Sequence, residues 1–419
     1  MFPGSVIRKL AHSEEVFAHN ETYFALTVQM SGTVDVNAMS DAFDALLQAH
    51  PIFVGHLEQG PDGRHQIVAE DLLHPGIWIV DEDNEASSGT AGMQLDQSLS
   101  LMNLRLTLSG QRAELTLYIH HSLADAHHVF GLLEEFFSHY TDVVTTGSVG
   151  PVTPQPAPEP LEVVLEQRGV EKKQRSGLER LFRAMFAYEL PPANGSIVVA
   201  KSDKTQIIPA ARCRFTAEET AELVEFGRAH QLSLNSLVAA AILLAEWELR
   251  NTPHIPIPYL YPVDLRYFLS PPVSMTGSTN PQGVATYLAD IGPDTDIVDL
   301  ARDIIATFRT DLSDGVIQQA LLHFSLQYEG TPAGLPPMVL CTDAGEIPAV
   351  RVPAGLELVD FQSELHALYR APVDVYSCGT FAQRLFIEHH AHVAGRERSL
   401  EAIRSILCSL PTDDGWESE

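Results

Sequence analysis

Glu114-Leu115-Thr116-Leu117-Tyr118-Ile119-His120 alternates apolar and polar side chains, and His121-Ser122-Leu123-Ala124-Asp125 carries the chain out of that run into a turn. The alternation predicts a strand. A histidine delivered at the end of a strand is held on rigid scaffold while its ring faces open space. General-base chemistry needs that combination, and an imidazole with an ordinary pKa near 6.5 can accept a proton at neutral pH and return it later. Two alternatives compete with it. On a helix, H-x-x-x-D would be a structural i, i+4 pair. The group His120, His121, Asp125, His127 and His128 could also supply metal ligands. Adjacent residues of an extended run leave on opposite faces, so His120 and His121 are poorly placed to share an ion, and no metal is expected.

Working outward, Thr22–Met30 alternates as a strand. Asp35 opens an amphipathic helix with Met39, Phe43 and Leu46 on one face, closing at His50-Pro51. Strands are expected at Ile77–Val80 and Leu104–Leu108, and a helix at His127–Tyr140. Five prolines between Pro151 and Pro160 form a stiff, extended seam that cannot enter a helix or central strand. Leu161–Ala187, with Lys172, Lys173, Arg175, Arg180 and Arg183, looks like helical crossover material, with a merely solvated basic face as the favoured alternative. Beyond it the patterning predicts helices at Ala217–His230, Leu234–Arg250, Ile297–Leu312 and Ser399–Leu410. Strands are expected at Ile255–Val263, Val284–Ile291, Met338–Thr342, His366–Ser377 and Arg384–His390. Strands interleaved with helices on both sides of the seam imply two similar α/β units: 1–150 with the His-rich motif, a linker and crossover at 151–180, and 181–419.

A chain of 419 residues is long for one core, which also favours two units. The 26 basic and 55 acidic residues give a net charge of −29, which repels nucleic-acid phosphate and anionic lipid. Met1-Phe2-Pro3-Gly4-Ser5 lacks the pattern of a signal peptide, and the longest apolar stretch, Leu237–Ala245, is too short for a membrane span. Cys213, Cys341, Cys378 and Cys408 show no framework spacing, so a reducing cytosol is the expected compartment.

Several segments together resemble a known group. Leu10-x-x-x-Glu14, the Val34–Leu47 helix, His50-Pro51 and His120-His121-Ser122-Leu123-Ala124-Asp125 are similar to the condensation-domain and acyltransferase superfamily, which shares the chloramphenicol acetyltransferase fold. Pro262-Val263-Asp264-Leu265-Arg266 and Asn280-Pro281-Gln282-Gly283 resemble its later segments. The likeness extends over nearly the whole chain, and is greatest to the polyketide-associated acyltransferases of mycobacteria. There are departures: Ala126 stands where the motif usually closes with Gly, and Asp360-Phe361-Gln362-Ser363-Glu364 matches only two residues of an Asp-Phe-Gly-Trp-Gly run. Thr342-Asp343-Ala344-Gly345 replaces a Ser-Asn-x-Gly strand end.

The resemblance implies two chloramphenicol-acetyltransferase-like α/β sandwiches with an active-site tunnel between them and His121 at its middle. It implies an O-acyltransferase that moves methyl-branched fatty acyl groups from a carrier-protein or coenzyme A thioester to a long-chain alcohol or diol. No further cofactor is expected, because the donor brings its own thioester. Asp125 is expected to turn away from the tunnel and pair with Arg266. His120 is expected to pack behind the strand; otherwise it joins Asn280 and Gly283 as a candidate for the tunnel lining. His127 and His128 would line or cap the next helix, and His389, His390 and His392 read as structural. No Ser or Cys sits at a recognisable nucleophile elbow, so direct transfer is expected. The expected partner is the acyl carrier domain of a polyketide synthase, met in the cytoplasm or at the inner face of the membrane. Such carriers are acidic as a class, so docking on this acidic chain needs a local basic patch. Arg302 and Arg309, seven apart on one helical face, are candidates, with ordinary solvated arginines as the alternative. A non-catalytic carrier-docking module and an amide-forming condensation domain are the remaining functional alternatives.

Overall fold

The computed structural model describes residues 5–69, 74, 76–82, 93–181, 204–250, 252–323, 338–368, 374–392 and 395–410. The first half carries strands β1 (Ser5–Lys9), β2 (Tyr23–Gly32), β3 (His56–Gln59), β4 (His65–Ala69), β5 (Ile77–Asp81), β6 (Met102–Ser109) and β7 (Arg112–His120). Its helices are α1 (His12–His19), α2 (Val36–Ala49) and α3 (Ala126–Thr146). The seam then leads to α4 (Leu161–Gln167). The second half adds β8 (Gln206–Ile207), β9 (Ala210–Arg214), β10 (Ile257–Asp264), β11 (Gln282–Ala289), β12 (Val339–Glu346), β13 (Leu356–Ala367), β14 (Asp374–Phe381) and β15 (Arg384–His390). Its helices are α5 (Ala217–His230), α6 (Leu234–Leu249), α7 (Ile297–Ser313), α8 (Val316–Gln319) and α9 (Arg396–Cys408).

Two six-stranded sheets result, ordered β5-β6-β7-β2-β13-β8 and β11-β10-β12-β14-β15-β9, with a small sheet β1-β4-β3 beside them. α2 and α3 pack on the first sheet, where Met39, Phe43 and Leu46 of α2 meet Leu132, Leu133 and Phe136 of α3. The stripe predicted for α2 is the one buried. On the second sheet, α6 is buried almost all round, which explains why its sequence is apolar on every face. Among the described residues, no single helix is long and apolar enough to cross a membrane.

Several expectations are corrected. The strand expected at His366–Ser377 does not exist as one element. β13 ends at Ala367 and β14 starts at Asp374, with 369–373 outside the described residues. Charged residues in Leu356–Ala367 hid β13, yet it pairs with β2 over ten registers, from Leu356↔Gly32 to His366↔Tyr23. β8 extends the same sheet. The first sheet therefore takes two of its six strands from beyond residue 181, so a division at 151–180 separates the sequence more cleanly than it separates the sheets. Leu161–Ala187 is helical only over Leu161–Gln167 and at the last described residues before Leu181; 182–187 fall outside the described residues. Nor is its basic face merely solvated. Arg175 and Arg180 both meet the buried Asp311 of α7, Arg180 at 2.9 Å.

Candidate active site

β7 ends at His120, and α3 starts at Ala126 with Asp125 as its N-cap. Ala126 lies in the first turn of a helix, so no left-handed backbone is needed where the superfamily motif has Gly. His120 and His121 go to opposite sides of the sheet. His120 stands edge-on to Tyr23 at 5.0 Å, whereas His121 lies 6.2 Å from Phe24, the next residue on β2. That divergence is the pleat predicted from sequence.

His120 is fully buried, and its Nδ1 is 2.7 Å from the Ser122 hydroxyl. Burial, with smaller contributions from His121 and His65, lowers its pKa to about 3, so the ring is neutral. It packs behind the strand, and the cavity between the sheets is lined by other residues. His121 is half-buried and stacks on Phe17 of α1, with centroids 4.2 Å apart and an 18° interplanar angle. Burial pulls its pKa below the ordinary imidazole range, against the opposing pull of nearby carbonyls, Asp125 and Asn280. Its Nδ1 is enclosed and meets no partner in hydrogen-bond geometry among the described residues. The backbone is held on both flanks. His121 N–H donates to Thr22 O at 2.8 Å, and Asn280 Nδ2 donates to His121 O at 2.7 Å.

Asp125 and Arg266 meet as expected. Both terminal guanidinium nitrogens of Arg266 donate to the Asp125 carboxylate, at 2.8 and 3.0 Å, and the side chains of Asp125 and Arg266 are only 1% and 2% exposed. Burial pushes the Asp125 carboxyl up, but Arg266 outweighs it and holds it below the usual carboxylate range. Asp125 also accepts from His128 N–H at 2.9 Å, so it fixes the start of α3 as well as the turn. Arg266 completes its shell on Met275 O and Asp264. His128 donates from Nδ1 to Ser278 O at 3.1 Å and is held neutral by burial, its pKa lowered to about 4. His127 lies 3.3 Å from Asp264.

Asn280 is thus a support for the His121 backbone. Gly283 serves packing instead of lining: a Cβ there would come within 2.6 Å of Ile317 O. Phe17 and Thr279 escaped the sequence reading. Phe17 supplies the stacking face, three residues from Glu14 and thus on the same side of α1. Glu14 accepts from Thr279 Oγ1 at 2.8 Å, and Thr279 O accepts from Asp125 N–H at 3.1 Å. The N-terminal Leu10-x-x-x-Glu14 segment is thereby tied through the 278–281 loop to the histidine motif. The seam joins in as well, because Glu159 O accepts from Thr279 N–H.

Between the sheets, on the Phe24 and Ala126 side of the motif, lies a narrow cavity of about 40 Å³. Phe130, Phe361 and Phe386 make most of it apolar, and Ser363 and Ser377 face it from the second half. A full acyl or alkyl chain needs more space than this, so the cavity could take one only with movement of the lining side chains. Arg302 and Arg309 line a separate groove of about 290 Å³ with His230 and Leu232, at the junction of α5 and α7.

The family model for the C-terminus of phthiocerol/phthiodiolone dimycocerosyl transferase matches residues 204–390. The chain is 55% identical to phthiocerol/phthiodiolone dimycocerosyl transferase of Mycobacterium tuberculosis over 422 residues, covering 100% of both. The chain belongs to this transferase family. Its fold matches the structure of polyketide synthase associated protein 5 from Mycobacterium tuberculosis with a TM-score of 0.89 and 54% identity, over 99% of this chain and 100% of that one. The first condensation domain of the CDA synthetase, at 13% identity and a TM-score of 0.65, covers 97% of each chain and shares the fold alone. The protein is accordingly an acyltransferase of two condensation-type α/β units.

Proposed function

We propose that this acyltransferase esterifies a long-chain diol of the phthiocerol/phthiodiolone class with mycocerosyl-type, methyl-branched acyl groups delivered as thioesters. The substrate classes follow the name of the relative. The observation that supports direct transfer is His121: neutral, stacked on Phe17 and with its backbone clamped by Asn280. In this mechanism Nε2 takes the proton of the alcohol as the alcohol oxygen attacks the thioester carbonyl. The tetrahedral intermediate collapses, the C–S bond breaks, and the imidazolium returns the proton to the departing thiolate. Asp125 and Arg266 act as positioning residues that keep the turn in place. A thioester is already activated, so the scheme draws on no metal or additional cofactor. The donor thioester is carried by coenzyme A or by the phosphopantetheine arm of an acyl carrier domain of a polyketide synthase, and the Arg302–Arg309 groove is the proposed docking surface for the carrier. A cytoplasmic site of action, at the inner membrane face where the lipid acceptor collects, fits these substrates.

Mass spectrometry of products from methyl-branched acyl thioesters and long-chain diols tests the proposal: wild type forms the ester, and His121→Ala forms it at least ~10²-fold more slowly. A rate within about tenfold of wild type in the variant would falsify the base assignment.

A further inference from the structure

Phe17 of α1 lies against the ring assigned as the base, and the contact is of a particular kind. The planes of Phe17 and His121 are 18° from parallel with centroids 4.2 Å apart, so imidazole and benzene meet face on face. Phe24, tilted by 47° at 6.2 Å, adds little. The backbone sets the spacing. Thr22 N–H donates to Phe17 O at 2.9 Å, and His121 N–H donates to Thr22 O at 2.8 Å, so one residue links the two ring-bearing positions. α1 is itself held at Glu14, which accepts from both terminal nitrogens of Arg8, at 2.7 and 2.9 Å, and from the Thr279 hydroxyl at 2.8 Å. The ring is in place before any proton moves.

A benzene face is the negative end of an aromatic quadrupole, so it attracts a cation lying over it and gains much less from a neutral ring. In the transfer scheme His121 passes between these two states. It is neutral before the alcohol gives up its proton and an imidazolium while the tetrahedral intermediate stands. The charges around it are otherwise paired. Asp125, on the same turn, shares its charge with Arg266, and Glu14, on the same side of α1 as Phe17, is neutralised by Arg8. His120 is buried and neutral, and Asn280 is uncharged and holds the backbone carbonyl of His121.

We propose that Phe17 is a positioning residue of the transfer reaction, its ring face stabilising the positive charge that His121 gains with the alcohol's proton. The proposal rests on His121 as the base and adds to it a source of basicity. Because the interaction strengthens only as charge develops, it lowers the barrier and leaves substrate affinity alone.

The test grades the electron density of that face while keeping its shape. Mono-, di- and trifluorinated phenylalanine at position 17 withdraw the density stepwise. The titration of His121 is followed by NMR on the full chain with isotope-labelled histidine, its signal identified by its loss in His121→Ala. The midpoint should step down with each fluorine, and Phe17→Leu should lower it by about 0.4–1.5 pH units. With a methyl-branched acyl thioester and a long-chain diol, kcat should fall in the same order. Phe17→Leu should lose about 2- to 30-fold in kcat, with KM nearly unchanged. Phe17→Tyr, which keeps the face, should stay close to wild type. A midpoint indifferent to the fluorine series would overturn the proposal, since a ring that only packs needs shape and not charge. A loss confined to KM would overturn it equally. Transfer by His121→Ala near the wild-type rate is a separate result: it would overturn the base assignment itself, whatever the fluorine series shows.

Discussion

At the scale of single residues, two adjacent histidines do different work because the pleat sends them to different environments. His121 stacks on Phe17, and His120 is sealed edge-on against Tyr23. The divergence of the two rings was legible from the strand pattern because periodicity alone decides which way neighbours point. Phe17 was not legible, since nothing local to α1 reveals which far-off ring it will cover. The buried neutral rings also set an acid limit on stability. His120 and His128 have folded pKa values of about 3 and about 4 against an ordinary 6.5. The unfolded chain therefore binds protons that the folded chain refuses, and stability falls as pH drops from about 6.5 toward 4. The loss should be on the order of several kcal/mol. Thermal melts across that window should show His120→Asn with a shallower fall than wild type. An identical slope in both would mean that His120 takes up a proton without cost.

At the scale of elements, the site is a joint between the β7–α3 turn and the 265–281 segment. Asp125 and Arg266 hold that joint by mutual compensation of charge. Removing either partner strands a buried charge, so Asp125→Ala and Arg266→Ala should each cost about 3–5 kcal/mol in denaturant unfolding. The double variant should lose clearly less than the two single losses combined, as expected for residues in one network. Strict additivity would show that the pair contributes nothing by meeting. Asp125→Asn should sit between wild type and Asp125→Ala, because the amide keeps one acceptor for His128 N–H. The pairing came from family likeness, since residues 141 apart in sequence carry no local signal of contact. Gly283 shows the converse: its position in a recognisable segment suggested lining, but its lack of Cβ is required by Ile317.

At the scale of the whole molecule, the acidity of the chain makes carrier recognition an electrostatic problem. Arg302 is already partnered by Asp299 at 3.3 Å, which leaves Arg309 as the stronger contributor to the groove. Arg309→Glu should slow transfer from carrier-bound donor while leaving coenzyme A-dependent transfer nearly unchanged. The carrier-dependent rate of wild type should fall as salt shortens screening below roughly 10 Å. Equal losses with both donors would place Arg309 in the fold and not at a docking surface. Alternation made most helices and central strands readable in advance, and the resemblance supplied the two-unit plan. The crossover of β13 into the first sheet was invisible because Glu357, Asp360 and Glu364 interrupt its apolar run, and its partner strand lies more than 300 residues upstream.

That crossover has a consequence in time. During synthesis at about 5–20 residues per second, β2 emerges early and its edge waits for the strand that ends at Ala367. Since Tyr23 pairs with His366, the wait is roughly 17–70 s at those speeds. Throughout it a long, unpaired edge is open to other chains, which is the condition for misassembly on the ribosome. Final closure of the first sheet is therefore delayed until the second unit is almost complete.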